Sequence, residues 1–149
     1  MICAASPVGP LGARAVEGAV TELVWGRGGN LTDGPLHRQV CDEMTAYFAG
    51  NLQQFQTPVA PRGSGFQQGF YAALCDIPYG ETRTYGELAK ELGVSAQAIG
   101  QACGANPIAI LIPCHRVLAA DGLGGYSGAG GIEAKVALLR LEGAAGLLI

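Results

Sequence analysis

Charged residues are scarce in this sequence, and neither sign dominates. Asp, Glu, Lys and Arg make up 14% of the 149 residues, and the formal net charge is −3. A protein that holds nucleic acid mainly through its phosphates usually has a clear excess of Lys and Arg on one face. The overall charge therefore gives no indication of a nucleic-acid partner.

Long apolar segments are also absent. No stretch approaches the roughly 18 consecutive apolar residues of a membrane-spanning helix. The N-terminal sequence MICAASPVGP also lacks the basic segment followed by an apolar one that marks a signal peptide. With 49% hydrophobic residues, the chain can nevertheless bury a substantial core. We therefore expect a globular protein of the cytoplasm with no membrane association.

Closely spaced cysteine pairs are missing as well. The five cysteines lie far apart, at positions 3, 41, 75, 103 and 114, whereas small secreted domains usually show an even number at short spacings. We interpret them as reduced thiols. One alternative is a zinc site that combines Cys3, His37 and Cys41, although His37 and Cys41 are more simply explained as residues on one face of a helix. We expect neither a metal nor a cofactor.

Short apolar patterns broken by glycine and proline fill the first third of the chain. The segments MICAA, GPLGARAV and AVTELVW surround a turn at residues 17–18, which predicts a small antiparallel sheet. From residue 35 onward the apolar residues recur at helical spacing, and Gly50 is expected to end this helix. The segment QTPVAPRGSG is typical of a linker. We place a domain boundary there, with one domain at 1–61 and a second at 62–149.

The second domain is predicted to be helical. A helix is expected at 66–75, and Thr84 with Glu87 forms a capping box that opens the helix YGELAKEL, which Gly93 ends. Ser95 can then cap the segment AQAIGQAC, so that two short helices flank a tight turn. This arrangement predicts a helix-turn-helix. Such pairs are also common in ordinary helical packing, so the pattern alone does not establish DNA binding.

The segment IPCHRV places Cys114 directly beside a histidine and an arginine. A single cysteine after an apolar run is ordinarily a small buried hydrophobe. Here Pro113 is compatible with the first residue of a helical turn, whose backbone N–H groups would favour a thiolate. His115 adds a base and Arg116 a fixed positive charge, and such surroundings lower the pKa of a cysteine and make it reactive. Cys114 is therefore a candidate nucleophile.

Several longer segments resemble one protein family. IPCHRV follows NPIAIL, the segment IPYGETRTYGELAKELG lies upstream, and GGYSGAGG and ALLRLEG lie downstream. In this order they are similar to the O6-alkylguanine-DNA alkyltransferases, also called methylated-DNA-protein-cysteine methyltransferases. The resemblance covers most of the chain and includes SPVGPL and AYFAGNLQQF. It implies an α+β fold, in which a small antiparallel sheet-and-helix domain precedes a helical domain with a winged-helix-like helix-turn-helix.

The resemblance also implies a DNA-repair reaction. In that family the cysteine accepts the alkyl group from O6-alkylguanine in DNA, once per molecule and without a cofactor, and O4-alkylthymine is a further candidate substrate. Cys114 would be the acceptor, and His115 would deprotonate it through a bound water. Glu142 would orient His115, and Asn106 would brace the segment before the cysteine. The partner would be alkylated double-stranded DNA, and we expect a monomer.

Further residues match family positions that contact the substrate. Tyr85 and the backbone N–H of Ser127 would stabilise the departing guanine, as donors aimed at developing charge do, and the carbonyls of Cys114 and Val117 would accept from it. The substrate-binding residues implied in this way are Pro113, Val117, Tyr126, Ser127 and Gly128. The DNA-binding residues are Thr84, Ser95, Gln97, Ala98, Gly100, Gln101 and Arg116.

Gln97 departs from the family, whose recognition helix carries an arginine that fills the space left by the flipped base. Between residues 66 and 118 three basic residues stand against four acidic ones, a net charge of −1. Because Lys and Arg supply most of the affinity for phosphates, we expect weak binding to DNA.

Two other functions stay open on these residues. The same cysteine could accept an alkyl group from a free base, a single strand or a small alkylating agent, which the acidic second domain and Gln97 favour. The family also has relatives that bind the lesion without accepting the alkyl group. Their cysteine is replaced, typically by tryptophan, so Cys114 argues against that function.

Overall fold

The computed structural model describes residues 2–3, 11–25, 34–119, 122, 124 and 131–144. A 3₁₀ turn at Cys114–Arg116 precedes the last strand. The strands and helices in chain order are β1 Ile2–Cys3, β2 Leu11–Val16, β3 Ala19–Trp25, α1 Pro35–Phe48, α2 Gly65–Cys75, β4 Arg83–Thr84, α3 Tyr85–Leu92, α4 Ala96–Gly104, β5 Val117–Leu118 and α5 Gly131–Leu141. This is the expected α+β architecture. Within these ranges no helix has the length and apolar character needed to cross a membrane.

The strands before α1 form an antiparallel sheet in the order β1-β2-β3. Strands β2 and β3 are joined by a two-residue turn in which Glu17 and Gly18 have φ values of 52° and 80°. Two positive φ values in succession match the right-handed twist of a hairpin. The predicted small antiparallel sheet and its turn at 17–18 are therefore confirmed.

Helix α1 supplies the buried helical face of the first part of the chain. Pro35 stands in its first turn, where the missing N–H costs no hydrogen bond. Gly50 lies just after its end with φ 80°, as predicted. Its buried side chains recur every three or four residues and therefore share one face; they are His37, Val40, Met44 and Tyr47.

The cysteines differ from the prediction at one position. Cys75, Cys103 and Cys114 are not disulfide-bonded, but Cys41 is, which corrects the expectation that all five are reduced. Sequence spacing could not reveal this, because a disulfide depends on Cα atoms that approach within about 7 Å in the folded chain. A bonded sulfur is not a thiolate ligand, which argues against the alternative zinc site. Among the described residues no three His, Cys, Asp or Glu side chains could hold a metal ion; the side chain of Cys3 lies outside that description.

Capping residues define the two helices of the helix-turn-helix. Thr84 and Glu87 form the predicted capping box at the start of α3, and Gly93 ends that helix in the left-handed conformation. Ser95 caps α4, because its side-chain oxygen accepts from the N–H of Ala98 at 3.1 Å. Helices α3 and α4 pack against each other. The predicted helix-turn-helix is therefore present.

A short parallel pair of strands positions the turn that carries Cys114. Arg83 of β4 pairs with Val117 of β5, and Thr84 pairs with Leu118. The start of α3 therefore lies beside the segment that follows the cysteine, although the two are distant in the sequence.

One cluster of buried apolar residues connects the two parts of the chain. It includes Ala13 and Leu23 from the sheet, Leu138 from α5, and Cys114. A backbone hydrogen bond of 2.9 Å also runs from the Leu23 N–H to the carbonyl of Pro107. The division into domains at 1–61 and 62–149 stays a prediction.

Candidate active site

A tight turn presents the sulfur of Cys114. Pro113 has φ −81° and ψ 67°, close to an inverse γ-turn, and the Cys114 N–H donates to the carbonyl of Ile112 at 2.8 Å. The Arg116 N–H donates to the carbonyl of Pro113 at 3.1 Å. Pro113 thus caps the helical turn and is not its first residue, which corrects the prediction. Together the proline and the two hydrogen bonds fix the backbone on both sides of the sulfur.

Asn106 ties together the segment that leads to this turn. Its Nδ2 donates to the carbonyl of Ile112 at 2.9 Å, and its Oδ1 accepts from the N–H of Ile108 at 3.0 Å. Between these two residues Ile110 has φ 76°, an unfavourable conformation for a β-branched residue. One amide therefore holds both ends of a strained loop, which is the contact expected of a bracing residue.

Three side chains bind the carboxylate of Glu142, which follows α5. His115 Nε2 lies 2.7 Å from Oε2. Arg116 donates through Nε to Oε1 at 2.8 Å and through Nη2 to Oε2 at 2.9 Å. The hydroxyl of Tyr47 donates to Oε2 at 2.6 Å. All four residues are buried. The structure thus brings His115 and Glu142 together, and it adds two partners that sequence analysis did not place there.

The carboxylate of Glu142 is ionised. Burial raises its pKa, but hydrogen bonds from His115 and Arg116 outweigh burial and lower the pKa to about 2. An ionised carboxylate only accepts hydrogen bonds, so the proton of a neutral His115 is on Nε2 and the lone pair is on Nδ1. In the described part of the chain Nδ1 has no hydrogen-bond partner. Since burial also lowers the pKa of His115, the imidazole is neutral at rest and oriented as a base.

The thiol of Cys114 is buried and keeps its proton at rest. The residue is 3% exposed, and burial raises the pKa of the thiol although a hydrogen bond with Asn106 opposes that effect. This corrects the lowered pKa predicted from the neighbouring histidine and arginine. The reason is that burial dominates and that Arg116 directs its charge to Glu142 instead. The thiol therefore needs a base to remove its proton.

Lys135 is a residue of this site that sequence analysis missed. It is fully buried on α5, its Nζ donates to the carbonyl of Val117 at 2.7 Å, and it lies 5.8 Å from the centre of the Tyr85 ring. Burial lowers the pKa of Lys135, and its charge lowers the pKa of Cys114. A signal was present in the sequence, because this lysine stands three and four residues before Leu138 and Leu139, on the apolar face of the helix.

Arg116 is enclosed within the protein, although we predicted it among the DNA-binding residues. It is 6% exposed. Besides contacting Glu142, its Nη1 donates to the carbonyl of Ile77 at 2.7 Å, and its guanidinium lies 5.8 Å from the centre of the Tyr79 ring. A guanidinium enclosed in this way cannot contact a phosphate. We therefore withdraw Arg116 from the predicted DNA surface.

The other predicted DNA-binding residues lie on the helix-turn-helix. Those that are exposed are Ser95, Gln97, Gly100 and Gln101, and those that are half-buried are Thr84 and Ala98. The hydroxyls of Thr84 and Ser95 accept hydrogen bonds from backbone N–H groups and serve as helix caps. Helix α4 contains no Lys or Arg. Helix α4 therefore offers polar and small side chains, but no cation for a phosphate.

The predicted substrate-binding residues fall into two groups. Pro113 and Val117 are buried in the segment around Cys114. Outside the described residues lie Tyr126, Ser127 and Gly128. Tyr85 is half-buried at the start of α3, and a Cβ at Gly124 would lie 2.7 Å from its Cε2. Glycine at position 124 therefore leaves room for the tyrosine ring.

Comparison with known proteins gives consistent matches along the chain. Residues 65–144 match the family described as 6-O-methylguanine DNA methyltransferase, DNA binding domain. A methylated-DNA–protein-cysteine methyltransferase of Methanosarcina acetivorans is 42% identical over 149 residues, which cover 93% of this chain and 94% of that protein. The protein of the same name from Mycobacterium tuberculosis is 54% identical over 104 residues, 68% of this chain and 62% of that protein. The crystal structure of Mycobacterium tuberculosis OGT in complex with DNA has a TM-score of 0.83 at 44% identity and covers 95% of this chain and 91% of that one. The chain therefore belongs to the 6-O-methylguanine DNA methyltransferase family.

Proposed function

We propose that this protein repairs O6-alkylguanine in DNA by transferring the alkyl group to the sulfur of Cys114. The observation that carries the proposal is the 2.7 Å contact between His115 Nε2 and Glu142 Oε2. His115 directly follows Cys114, whose thiol is free and buried. A histidine oriented by a carboxylate is the base of many nucleophilic relays. The relatives described above act, by their name, on methylated DNA.

The proposed reaction forms one bond and breaks one. His115 Nδ1 takes the proton of the Cys114 thiol through a water, and the thiolate attacks the alkyl carbon. The bond between that carbon and O6 breaks and its electron pair stays with the guanine. The guanine gains a proton at N1, which balances the proton that His115 took from the thiol and then gives up. The product is a thioether, which water does not cleave under ordinary conditions. Each molecule therefore reacts once, and no cofactor is needed because the acceptor is the protein's own sulfur.

Departure of the guanine needs groups that accept its developing charge. We propose that Tyr85 and the N–H of Ser127 donate to the base, as the family resemblance implies. The carbonyl of Val117 already accepts from Lys135 at 2.7 Å. A carbonyl oxygen has two lone pairs, so it can also accept from the exocyclic amine of guanine. Lys135 would then hold that carbonyl in place.

The proposed partner is alkylated double-stranded DNA, held by the helix-turn-helix with the lesion flipped out of the stack. Binding is expected to be weak because α4 carries no Lys or Arg. We also propose that the protein is a monomer and that it acts in the cytoplasm. O4-alkylthymine is a further candidate substrate, because its alkyl group is carried on oxygen in the same way.

The test is incubation with a duplex that contains O6-methylguanine, followed by peptide mass spectrometry. We expect one methyl group per chain, on the peptide that contains Cys114, and none in Cys114→Ala. Methyl groups on Cys75 or Cys103, or sustained turnover, would contradict the single-use mechanism.

A second candidate function keeps the nucleophile and changes the donor to a free base, a single strand or a small alkylating agent. The absence of cations on α4 favours it. The same experiment with free O6-methylguanine and with a methylated single strand separates the two functions. Labelling of Cys114 from either one at the rate of the duplex would favour the second. A lesion-binding module that accepts no alkyl group is disfavoured by the free thiol of Cys114.

A further inference from the structure

Tyr47 contacts the proposed proton relay from outside the family match. It lies on α1, whereas the match covers residues 65–144. Its hydroxyl nevertheless donates to Glu142 Oε2 at 2.6 Å across 95 positions of sequence, and the residue is fully buried. No step of the proposed reaction requires this hydroxyl. The role of this contact therefore needs a separate explanation.

The hydroxyl binds the same oxygen that His115 uses. Oε1 of Glu142 accepts only from Arg116 Nε among the described residues. Oε2 accepts from Arg116 Nη2 at 2.9 Å and from Tyr47 at 2.6 Å, and it lies 2.7 Å from His115 Nε2. Each donor draws negative charge from the oxygen that it binds. Tyr47 and His115 therefore compete for the charge of one oxygen.

The surroundings of Tyr47 keep its hydroxyl protonated and hold it in place. Burial and the charge of Glu142 raise the pKa of Tyr47, so the phenol keeps its proton and always donates. Its ring is held by three other aromatic rings, with centroid distances of 5.4 Å to Phe48, 5.2 Å to Phe55 and 6.2 Å to Tyr79. Aromatic rings at such distances pack favourably. The hydroxyl is thus fixed in direction.

We propose that Tyr47 is a positioning residue for alkyl transfer, which fixes Oε2 of Glu142 and limits the charge that this oxygen offers to His115. A carboxylate that already accepts from a phenol stabilises an imidazolium less. His115 therefore stays neutral, and able to take the proton of Cys114, down to a lower pH. The inference rests on the proposed function, because it concerns the base of that reaction.

The test is the replacement Tyr47→Phe, which removes the hydroxyl and keeps the ring. The rate of methyl transfer from duplex O6-methylguanine is measured in a single turnover between pH 5 and pH 9. Without the phenol, Glu142 stabilises protonated His115 more strongly. We expect the midpoint of the acid limb to move to higher pH by roughly half a unit. A purely structural role would lower the melting temperature and leave this midpoint in place.

Two further variants show whether the effect comes from the hydroxyl. Tyr79→Phe removes a neighbouring phenol that donates to the carbonyl of Leu141 at 3.2 Å and not to the carboxylate, so its acid limb should stay in place. Incorporation of 3-fluorotyrosine at position 47 keeps the shape and makes the hydroxyl a stronger donor. That change should move the midpoint to lower pH, and it also serves if Tyr47→Phe fails to fold.

Shifts in opposite directions for phenylalanine and fluorotyrosine support the proposal, and an unchanged midpoint or shifts in the same direction overturn it. Failure of the proposed function is a different result, in which the wild-type protein transfers no methyl group from DNA. In that case the pH dependence of Cys114 alkylation by iodoacetamide, followed on the Cys114 peptide, tests the same base without DNA.

Discussion

Burial has opposite effects on the two groups that would exchange a proton in this site. It raises the pKa of the Cys114 thiol and lowers the pKa of the His115 imidazole. Both groups are therefore neutral at rest, in contrast to sites in which a cysteine and a histidine form a stable ion pair. The thiolate would form only as the reaction proceeds. A neutral buried thiol also reacts slowly with unrelated oxidants and electrophiles, which suits the proposed single transfer.

At the same scale we predict that Glu142→Gln destabilises the fold by about 3 kcal/mol at pH 7, because it leaves the buried charge of Arg116 without its counter-charge. Glu142 has a folded pKa of about 2, below its ordinary value of 4.5. Its stabilisation is therefore complete above pH 4.5 and is lost as the pH falls toward 2. Urea unfolding of both proteins between pH 7 and pH 2.5 measures this.

The matched control is Glu133→Gln, an exposed glutamate in the first turn of α5. An exposed substitution should change the free energy of unfolding by no more than about 0.5 kcal/mol at any pH. The difference between wild type and Glu142→Gln should shrink as the pH falls. A difference that stayed constant down to pH 2.5 would mean that the ionisation of Glu142 does not stabilise the fold.

At the scale of elements, short-range hydrogen bonds decide where the helices begin. The capping box of Thr84 and Glu87 at α3 was predicted from the sequence, whereas the equivalent box of Ser64 and Gln67 at α2 was not identified. Ser64 of the second box lies inside the segment that we had interpreted as a linker, and Gln67 lies two residues after its end. Helix α2 consequently begins at Gly65, one residue earlier than predicted.

Helix α4 contains the residue that departs most from the family pattern. Gln97 is exposed near its start, where the family has an arginine that fills the space of the flipped base. Gln97→Arg should increase the rate of transfer from duplex DNA. It should also steepen the dependence of log affinity on log salt by about 0.9, because one more cation would neutralise a phosphate. The rate on free O6-methylguanine should stay almost unchanged, since position 97 acts on DNA and not on the thiol.

The measurement is the single-turnover rate against salt concentration for both proteins and both substrates. Gln101→Arg, on the same exposed face of α4, is the control for added charge: it should steepen the salt dependence without the same gain in rate. An arginine at position 97 that changed nothing on the duplex would favour the second candidate function.

At the scale of the whole molecule, the buried core extends across the predicted domain boundary. The boundary at 61 separates two units, yet the core joins Ala13 and Leu23 with Leu138 and Cys114. A backbone hydrogen bond of 2.9 Å also crosses this boundary, from the Leu23 N–H to the carbonyl of Pro107. Shared burial of this kind couples the unfolding of the two parts.

We therefore predict a single unfolding transition in scanning calorimetry, with equal calorimetric and van't Hoff enthalpies. Ala13→Gly, which weakens the sheet side of the core, should lower that one transition without splitting it. Two resolved transitions, or loss of the first part of the chain at a lower temperature, would show that the domains at 1–61 and 62–149 unfold independently.

Many residues of the site could be named from the sequence, but the protonation state of Cys114 could not. Cys114, His115 and Arg116 are adjacent, so the pattern showed a thiol, a base and a charge together. The partner Glu142 was placed only by resemblance, since it lies 27 positions from His115. The predicted lowering of the Cys114 pKa was wrong, because adjacency in sequence does not show which way a side chain points or how deeply it is buried.

The sequence by itself determined the features that depend on neighbours within about four residues: the hairpin turn at 17–18, the cap of Thr84 and Glu87, the stops at Gly50 and Gly93, and hence the helix-turn-helix. The tertiary structure decided the rest. It turned Arg116 inward, buried Lys135 against the carbonyl of Val117, and brought Tyr47 to Glu142 across 95 positions. The physical reason is that helix caps and turns are closed by local hydrogen bonds, whereas burial and the contacts between distant side chains exist only when the whole core is assembled.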